Sequence, residues 1–188
     1  MKISAGHPMR VLCFDIENRP LSYWIPDTPT AEITAIAAAW ADDPKTMRVW
    51  LLGRDDPEAM LIGFIELYDQ ADMVTGHYIR KHDLPIINGA LIEAGLRTLG
   101  PKLTQDTKLD MVAKSDIPAT QEHLSDMLGI PADKYHMTQA MWREANRLTA
   151  DGLALTERRV TDDVRQHIKL RAEMIQRGLL KAPRVWRP

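Results

Sequence analysis

The chain has 188 residues, 45% of them hydrophobic, and a net charge of −2, so it can bury the core of one globular domain. Its one cysteine, Cys13, excludes a disulfide framework and a thiolate zinc site and suits a reducing compartment. Neither a signal peptide nor a membrane-spanning run is present, so we expect a cytoplasmic protein without a membrane partner. Residues 151–188 carry nine basic and five acidic side chains, which makes the C-terminal part basic and the rest acidic.

The first predicted element is a buried strand at 11–18 that contains two carboxylates, Asp15 and Glu17. Side chains alternate along a strand, so these two point to the same side of the sheet. Such a pair repels itself unless a cation lies between the two groups. The pair therefore predicts a divalent metal site, although Asp-x-Glu also occurs at strand ends by chance.

The remaining elements predict an α/β fold in one domain, with a core at about 9–178 and a tail at 179–188. Further strands are predicted at 33–40, 47–52, 72–76 and 102–107. Helices are predicted at 57–68, 84–95, 108–114 and about 156–177, with Pro118, Gly129, Pro131 and Gly152 as breaks. This order favours a mixed five-stranded sheet, an antiparallel meander followed by parallel strands, with helices on its faces.

Two more acidic residues could complete the metal site. Asp83 lies where the fourth strand leads into a helix, and Asp163 lies in the last long helix. As alternatives, Asp83 could cap its helix, and Asp162 and Asp163 could be solvated acids or acids at a helix start. Oxygen ligands without cysteine or paired histidines favour Mg²⁺ or Mn²⁺ over zinc.

Three segments of the chain resemble the exonuclease motifs of the DEDD 3′→5′ exonucleases. They are Phe14-Asp15-Ile16-Glu17, the segment 76–85 that ends in His82-Asp83-Leu84-Pro85, and Asp162-Asp163-Val164. This family has an RNase H-like fold and includes stand-alone phage and bacterial nucleases and the proofreading domains of DNA polymerases. Asp106-Thr107 also resembles a strand end between the second and third motifs of the family.

The resemblance implies that Asp15, Glu17, Asp83 and Asp163 hold two Mg²⁺ or Mn²⁺ ions. It implies an enzyme that hydrolyses phosphodiester bonds from the 3′ end of DNA, most simply single-stranded DNA, with a possible replication or repair protein as partner. Digestion of RNA or of short oligonucleotides stays open as an alternative. So does a nucleic-acid-binding or regulatory protein that has lost catalysis, and so does an acidic structural domain that binds no ligand.

The third motif departs from the family pattern. The family places a Tyr four residues before the last Asp, or a His five before, whereas this chain has Arg159 and Arg158. A guanidinium group stays protonated and cannot act as a general base. Arg159 could instead contact the scissile phosphate or shield the carboxylates. His167, one turn after Asp163, is the nearest titratable substitute, and a core or surface histidine is the competing interpretation.

The second motif and the choice of ligand also need comment. Tyr78 stands where many members have Asn, and it could stack on a terminal base. His82 stands where many have Phe, and it could reach a phosphate or merely cap the loop. Between the two neighbouring acids we favour Asp163 over Asp162, because Val164 follows it as in the family pattern.

Overall fold

The computed structural model describes residues 8–20, 31–112, 117–131 and 135–188. Its centre is a mixed sheet of six strands in the spatial order β3-β2-β1-β4-β5-β6. The strands are β1 (Val11–Pro20), β2 (Ala31–Trp40), β3 (Asp43–Leu51), β4 (Met73–Gly76), β5 (Lys102–Asp106) and β6 (Arg184–Trp186). The first three strands form the predicted antiparallel meander, and β4 and β5 continue the sheet in parallel with β1.

The prediction of five strands is wrong by one. The segment predicted as a tail contains β6, which pairs antiparallel with β5 from Lys102↔Trp186 to Thr104↔Arg184. A three-residue edge strand, mostly exposed, has too little hydrophobic alternation to stand out in a sequence. Its pairing covers the edge of β5 that would otherwise be open.

The part of the chain that the structure describes contains five α-helices. They are α1 (Pro57–Gln70), α2 (Asp83–Glu93), α3 (Gln121–Met127), α4 (Gln139–Ala145) and α5 (Ala150–Gln176). Within these described residues no helix combines the length and the apolar character that crossing a membrane requires.

The longest helix, α5, begins earlier than predicted. The Thr149 hydroxyl accepts a hydrogen bond from the Gly152 N–H and caps the helix, so Gly152 lies in its first turn and does not break it. A Cβ at Gly152 would lie 2.3 Å from the Glu144 carbonyl oxygen of α4. The glycine is therefore explained by the close approach of two helices.

The helix predicted at 108–114 is absent from its described part, 108–112. The N–H groups of Lys108 and Leu109 donate to Asp106 Oδ1, at 3.0 and 2.9 Å, in a turn. An aspartate that accepts nearby backbone N–H groups offers the chain an alternative to helical hydrogen bonds. This local competition explains the difference.

The alternation along β1 assigns its two faces to different helices. Leu12, Phe14 and Ile16 belong to the hydrophobic core that includes residues of α1 and α2. Cys13 belongs to a second core with Val160 and Val164 of α5. Asp15 and Glu17 share the parity of Cys13, so they point to the face that α5 covers.

Small side chains on β2 let α5 lie close to this face. Ala35, Ala37 and Ala39 are fully or almost fully buried there. The long helix thus crosses the sheet next to β1, and this brings Asp163 close to Asp15 and Glu17.

Candidate metal centre

Three carboxylates from two elements meet on the face of β1 that α5 covers. Asp15 and Glu17 of β1 and Asp163 of α5 each offer one oxygen, and these oxygens all lie within 4.8 Å of one another. Asp163 is buried, while Asp15 and Glu17 are half-buried. We call these three residues the acidic triad. Three like charges at this spacing are unfavourable unless positive charge offsets them.

The packing of α5 explains why Asp163 reaches the triad. Val160 and Val164 are buried against the sheet and fix the rotation of the helix. Asp163 precedes Val164 by one position, so it lies on the flank of the buried face. Gln121 of α3 donates from Nε2 to the Asp163 carbonyl oxygen at 2.8 Å and further fixes this turn.

Asp162 and Asp163 have different surroundings, although they are neighbours. Asp162 pairs with Arg165 at 3.2 Å and with Arg158 at 3.8 Å, both of them exposed arginines of the same helix. Both acids lie in the interior of α5, so neither is a helix-start acid or part of a solvated turn. Of these two neighbouring acids, Asp163 belongs to the triad and Asp162 does not.

Arg159 supplies positive charge inside the triad. Its Nε lies 3.3 Å from Glu17 Oε1, and its terminal NH2 nitrogen lies 3.0 Å from Asp163 Oδ2. The other terminal nitrogen donates to the Tyr135 carbonyl oxygen at 3.3 Å. The side chain is 18% exposed, so the ion pairs are only partly screened by water. One guanidinium thus bridges a strand carboxylate and a helix carboxylate.

Asp83 lies against the same strand but is not a member of the triad. Its Oδ1 accepts a hydrogen bond from the Ile16 N–H at 3.3 Å, between Asp15 and Glu17 along β1. Burial raises the pKa of Asp83, and the hydrogen bond from His82 lowers it by less. Asp83 is the first residue of α2 and follows the cap position, so the alternative that it caps the helix is wrong.

His82 occupies that cap position without a side-chain capping hydrogen bond. Its Nδ1 lies 3.3 Å from Asp83 Oδ2, and its side chain is 45% exposed. The hydrogen bond with Asp83 raises the pKa of His82. The ring therefore stands between the buried carboxylate and solvent.

His167 lies in the interior of the protein. Its Nε2 is 3.1 Å from the Thr75 hydroxyl of β4, and the residue is 2% exposed. Burial lowers the pKa of His167 well below the usual value, and the charges of His77 and Arg171 lower it further. These surroundings match the core-histidine interpretation; a role as a general base stays a prediction.

Tyr78 has an unusual backbone. Its φ of 74° lies in the left-handed region, which is uncommon for a residue with a bulky side chain. The Tyr78 N–H donates to Asp106 Oδ1 at 3.0 Å, and Lys108 Nζ lies 4.1 Å from the centre of the Tyr78 ring. The loop of the second motif is thereby fixed to the end of β5.

A second group of charged residues completes that attachment, and the sequence had put forward only Asp106 of its acids, at a strand end. Asp106 accepts hydrogen bonds from the N–H groups of Tyr78, Arg80, Lys108 and Leu109. Asp110 accepts two from the Arg80 guanidinium, at 2.7 and 2.5 Å, and one from the Asp106 N–H. We call Arg80, Asp106 and Asp110 the buried ion-pair cluster.

The charge state of this cluster follows from its contacts. Burial alone would raise the pKa of Asp110, but hydrogen bonds from Arg80 and from the Asp106 N–H hold it below its usual value. Apart from the resemblance at Asp106-Thr107, the available signal in the sequence is the spacing of Asp106 and Asp110, four residues apart after a strand. That spacing is too common to identify a partner such as Arg80.

The donor set of the triad fits a hard divalent cation. All the candidate ligands are carboxylate oxygens, the ligands that Mg²⁺ and Mn²⁺ prefer. The positively charged Arg159 contacts two of the three groups, so positive charge is already accommodated beside them.

No family model and no curated protein matches this chain. Among solved structures, the fold is similar to part of the family B DNA polymerase from the hyperthermophilic archaeon Pyrobaculum calidifontis, with a TM-score of 0.65 and 17% sequence identity. The match covers 93% of this chain and 25% of the polymerase chain. The chain therefore spans about a quarter of that polymerase, and the similarity establishes the fold alone.

Proposed function

We propose that this protein is a metal-dependent 3′→5′ exonuclease with an RNase H-like fold. The observation that carries the proposal is the acidic triad, formed by Asp15 and Glu17 of β1 and Asp163 of α5. The structural similarity to a DNA polymerase supports it, because polymerase proofreading domains belong to the family whose motifs the sequence resembles. The proposed substrate is the 3′ end of DNA, most simply a single strand or a frayed end.

The triad would hold a Mg²⁺ or Mn²⁺ ion, and Asp83 would contribute to a second ion beside the Ile16 backbone. When bound, such ions lower the pKa of the attacking water and stabilise negative charge on the leaving oxygen. The protein's own part is to fix the ligands, since β1 holds two carboxylates in one register and Gln121 holds the turn of Asp163.

Residues around the triad would position the substrate. The backbone of Tyr78 is left-handed, and its ring lies beside Lys108. The ring would offer a surface for a terminal base, and Lys108 would offer a positive charge for a phosphate. His82, half exposed beside Asp83, would contact a phosphate on the same side. Arg159 cannot accept a proton from water, so its charge would act on the carboxylates or on the phosphate.

A second candidate function is binding of nucleic-acid ends without cleavage. The observation that favours it is Arg159, which takes the position of the family's Tyr and pairs with two members of the triad. Such a protein would keep metal and end binding but would not release nucleotides.

Both candidates are tested with a 5′-labelled single-stranded DNA in Mg²⁺ or Mn²⁺. The exonuclease produces a ladder of shortened products, whereas Asp15→Asn and Asp163→Asn produce none. Asp162→Asn is the matched control, because Asp162 neighbours Asp163 but pairs only with arginines in the contacts described, and it should retain activity. A 3′-labelled substrate and an RNA of the same sequence determine polarity and sugar preference.

Equal traces of product from the wild type and both variants would mean contamination and would refute the exonuclease. Retained binding of the DNA end without cleavage in either metal would instead support the second candidate. Binding is measured by fluorescence anisotropy with Ca²⁺ in place of the other ions.

A further inference from the structure

We propose that Arg159 is a built-in counter-cation of the acidic triad that competes with the divalent ion and sets the ion concentration at which the site fills. The inference rests on the proposed metal site and concerns its regulation. It follows from where the guanidinium lies: on Glu17 Oε1 at 3.3 Å and on Asp163 Oδ2 at 3.0 Å.

The helix brings Arg159 next to Asp163. Arg159 and Asp163 are one turn apart on α5, the spacing at which side chains of a helix meet. The same side chain crosses to β1, so one cation neutralises charge on both elements. Both carboxylate side chains are mostly buried, with 15% exposure for Glu17 and 6% for Asp163. Ion pairs at this depth are screened less than surface pairs.

An ion and Arg159 would bind two of the same carboxylate groups, those of Glu17 and Asp163. The triad carries about −3 charge and its carboxylate oxygens lie within 4.8 Å of one another, whereas Arg159 contributes +1 at two of its members. An ion that binds these oxygens displaces the guanidinium or remains close to a like charge. Either outcome weakens ion binding relative to a triad without the arginine.

The structure also provides a neutral partner for a displaced guanidinium. The Tyr135 carbonyl oxygen accepts a hydrogen bond from Arg159 at 3.3 Å, and the Tyr135 ring lies under the Arg158 guanidinium at 3.8 Å. Arg159 can thus release the carboxylates while it keeps one hydrogen bond. This makes exchange less costly than full exposure of the side chain to solvent.

The test measures Mn²⁺ binding in the absence of nucleic acid. Binding is monitored through the electron paramagnetic resonance signal of the free Mn²⁺. Arg159→Gln should bind Mn²⁺ about tenfold more tightly than the wild type, since a charged partner of two ligands is lost. Arg159→Lys, which keeps the charge but cannot bridge two carboxylates as a planar fork, should bind about threefold more tightly. Circular dichroism checks that each variant folds.

Arg158→Gln is the matched control. Arg158 is the preceding residue on the same helix and contacts Tyr135 and Asp162. Its removal also deletes one positive charge near the site, so it corrects for the general change in charge. We expect its Mn²⁺ affinity to stay within about twofold of the wild type, as a screened surface charge would give.

Mn²⁺ binding by Arg159→Gln that is no tighter than binding by Arg158→Gln would overturn the inference, and so would the absence of binding in every variant. Should Arg159→Gln fail to fold, Arg159→Lys decides in the same direction. Cleavage is measured separately. A wild type that binds Mn²⁺ but releases no nucleotides refutes the exonuclease, while the effect of Arg159 on affinity is still judged from binding alone.

Discussion

One group of carboxylates lies on β1 and α5 and another follows β5, on the far side of β4, and the two groups differ in how their charge is balanced. In the buried ion-pair cluster the negative charge is balanced by groups of the fold itself. Asp106 accepts hydrogen bonds from four backbone N–H groups, and Asp110 accepts hydrogen bonds from the Arg80 guanidinium. The triad of Asp15, Glu17 and Asp163 is partly exposed, and Arg159 bridges two of its members.

The difference separates structural acids from acids that can bind a ligand. Fixed backbone donors hold Asp106, and Asp110 pairs with an Arg80 side chain that is itself buried, so the oxygens of both acids are committed to the fold. A side-chain cation such as Arg159 can move, so the oxygens that it contacts are open to exchange. Counting acidic residues at strand ends would not distinguish the two groups.

The largest expected effect is on activity. Asp15→Asn should lower the rate of 3′-end digestion by about a thousandfold or more, which corresponds to about 4 kcal/mol of transition-state stabilisation. Its free energy of unfolding should stay the same or rise, because one of three mutually repelling charges is removed. Digestion is followed on a 5′-labelled DNA, and stability by urea unfolding. A large loss of stability would place Asp15 among the structural acids.

The next effect is on stability. Arg80→Met should lower the free energy of unfolding by about 3–5 kcal/mol, because it leaves the buried Asp110 charge without its buried partner and with only the exposed Arg184 nearby among the described residues. Arg159→Met is the matched variant in the triad, and its cost should be smaller, about 1–2 kcal/mol, because two of the three carboxylates there are half-buried and can be hydrated once the arginine is removed. Both are measured by urea unfolding at pH 7 without metal. Equal costs would mean that the two groups do not differ in the way described.

Metal binding should stabilise the folded protein through the acidic triad and not through the buried ion-pair cluster. At about 100 times its dissociation constant, Mn²⁺ should raise the melting temperature of the wild type by about 5–10 °C. Asp163→Asn should lose most of this shift, whereas Asp162→Asn should keep it. Differential scanning fluorimetry with and without a chelator measures the shift. If Mn²⁺ does not change the melting temperature of the wild type, the result would favour the alternative of an acidic structural domain that binds no ligand.

The smallest effect concerns His167, which lies one turn after Asp163 but faces the interior. Its pKa is lowered in the folded state, so below about pH 6.5 the unfolded chain takes up a proton that the buried ring does not. Stability should therefore fall as the pH drops from 7.0 to 5.5, by at most about 1.4 kcal/mol per pH unit. His167→Gln keeps the neighbouring His77 and Arg171 but removes the buried ring. Its free energy of unfolding, measured with urea, should fall less steeply with decreasing pH. Parallel slopes would contradict the buried neutral ring.

Local patterns were sufficient for much of the fold. The meander, the two parallel strands and the positions of α1 and α2 follow from hydrophobic spacing that a short window contains. The helix predicted at 108–114 failed because Asp106 draws backbone N–H groups into a turn, which propensity does not report. The strand β6 was missed because its partner β5 lies about 80 residues earlier in the chain.

The sequence by itself determined that Asp15 and Glu17 share one face of a strand, since alternation is a property of the extended backbone. It also put Asp163 forward through a motif. Only the tertiary structure decided which charges meet. Arg159 and Glu17 are 142 positions apart, and their contact depends on how α5 lies across β1. Packing of alanines and valines sets that placement, and it makes Arg159 a bridge between two carboxylates.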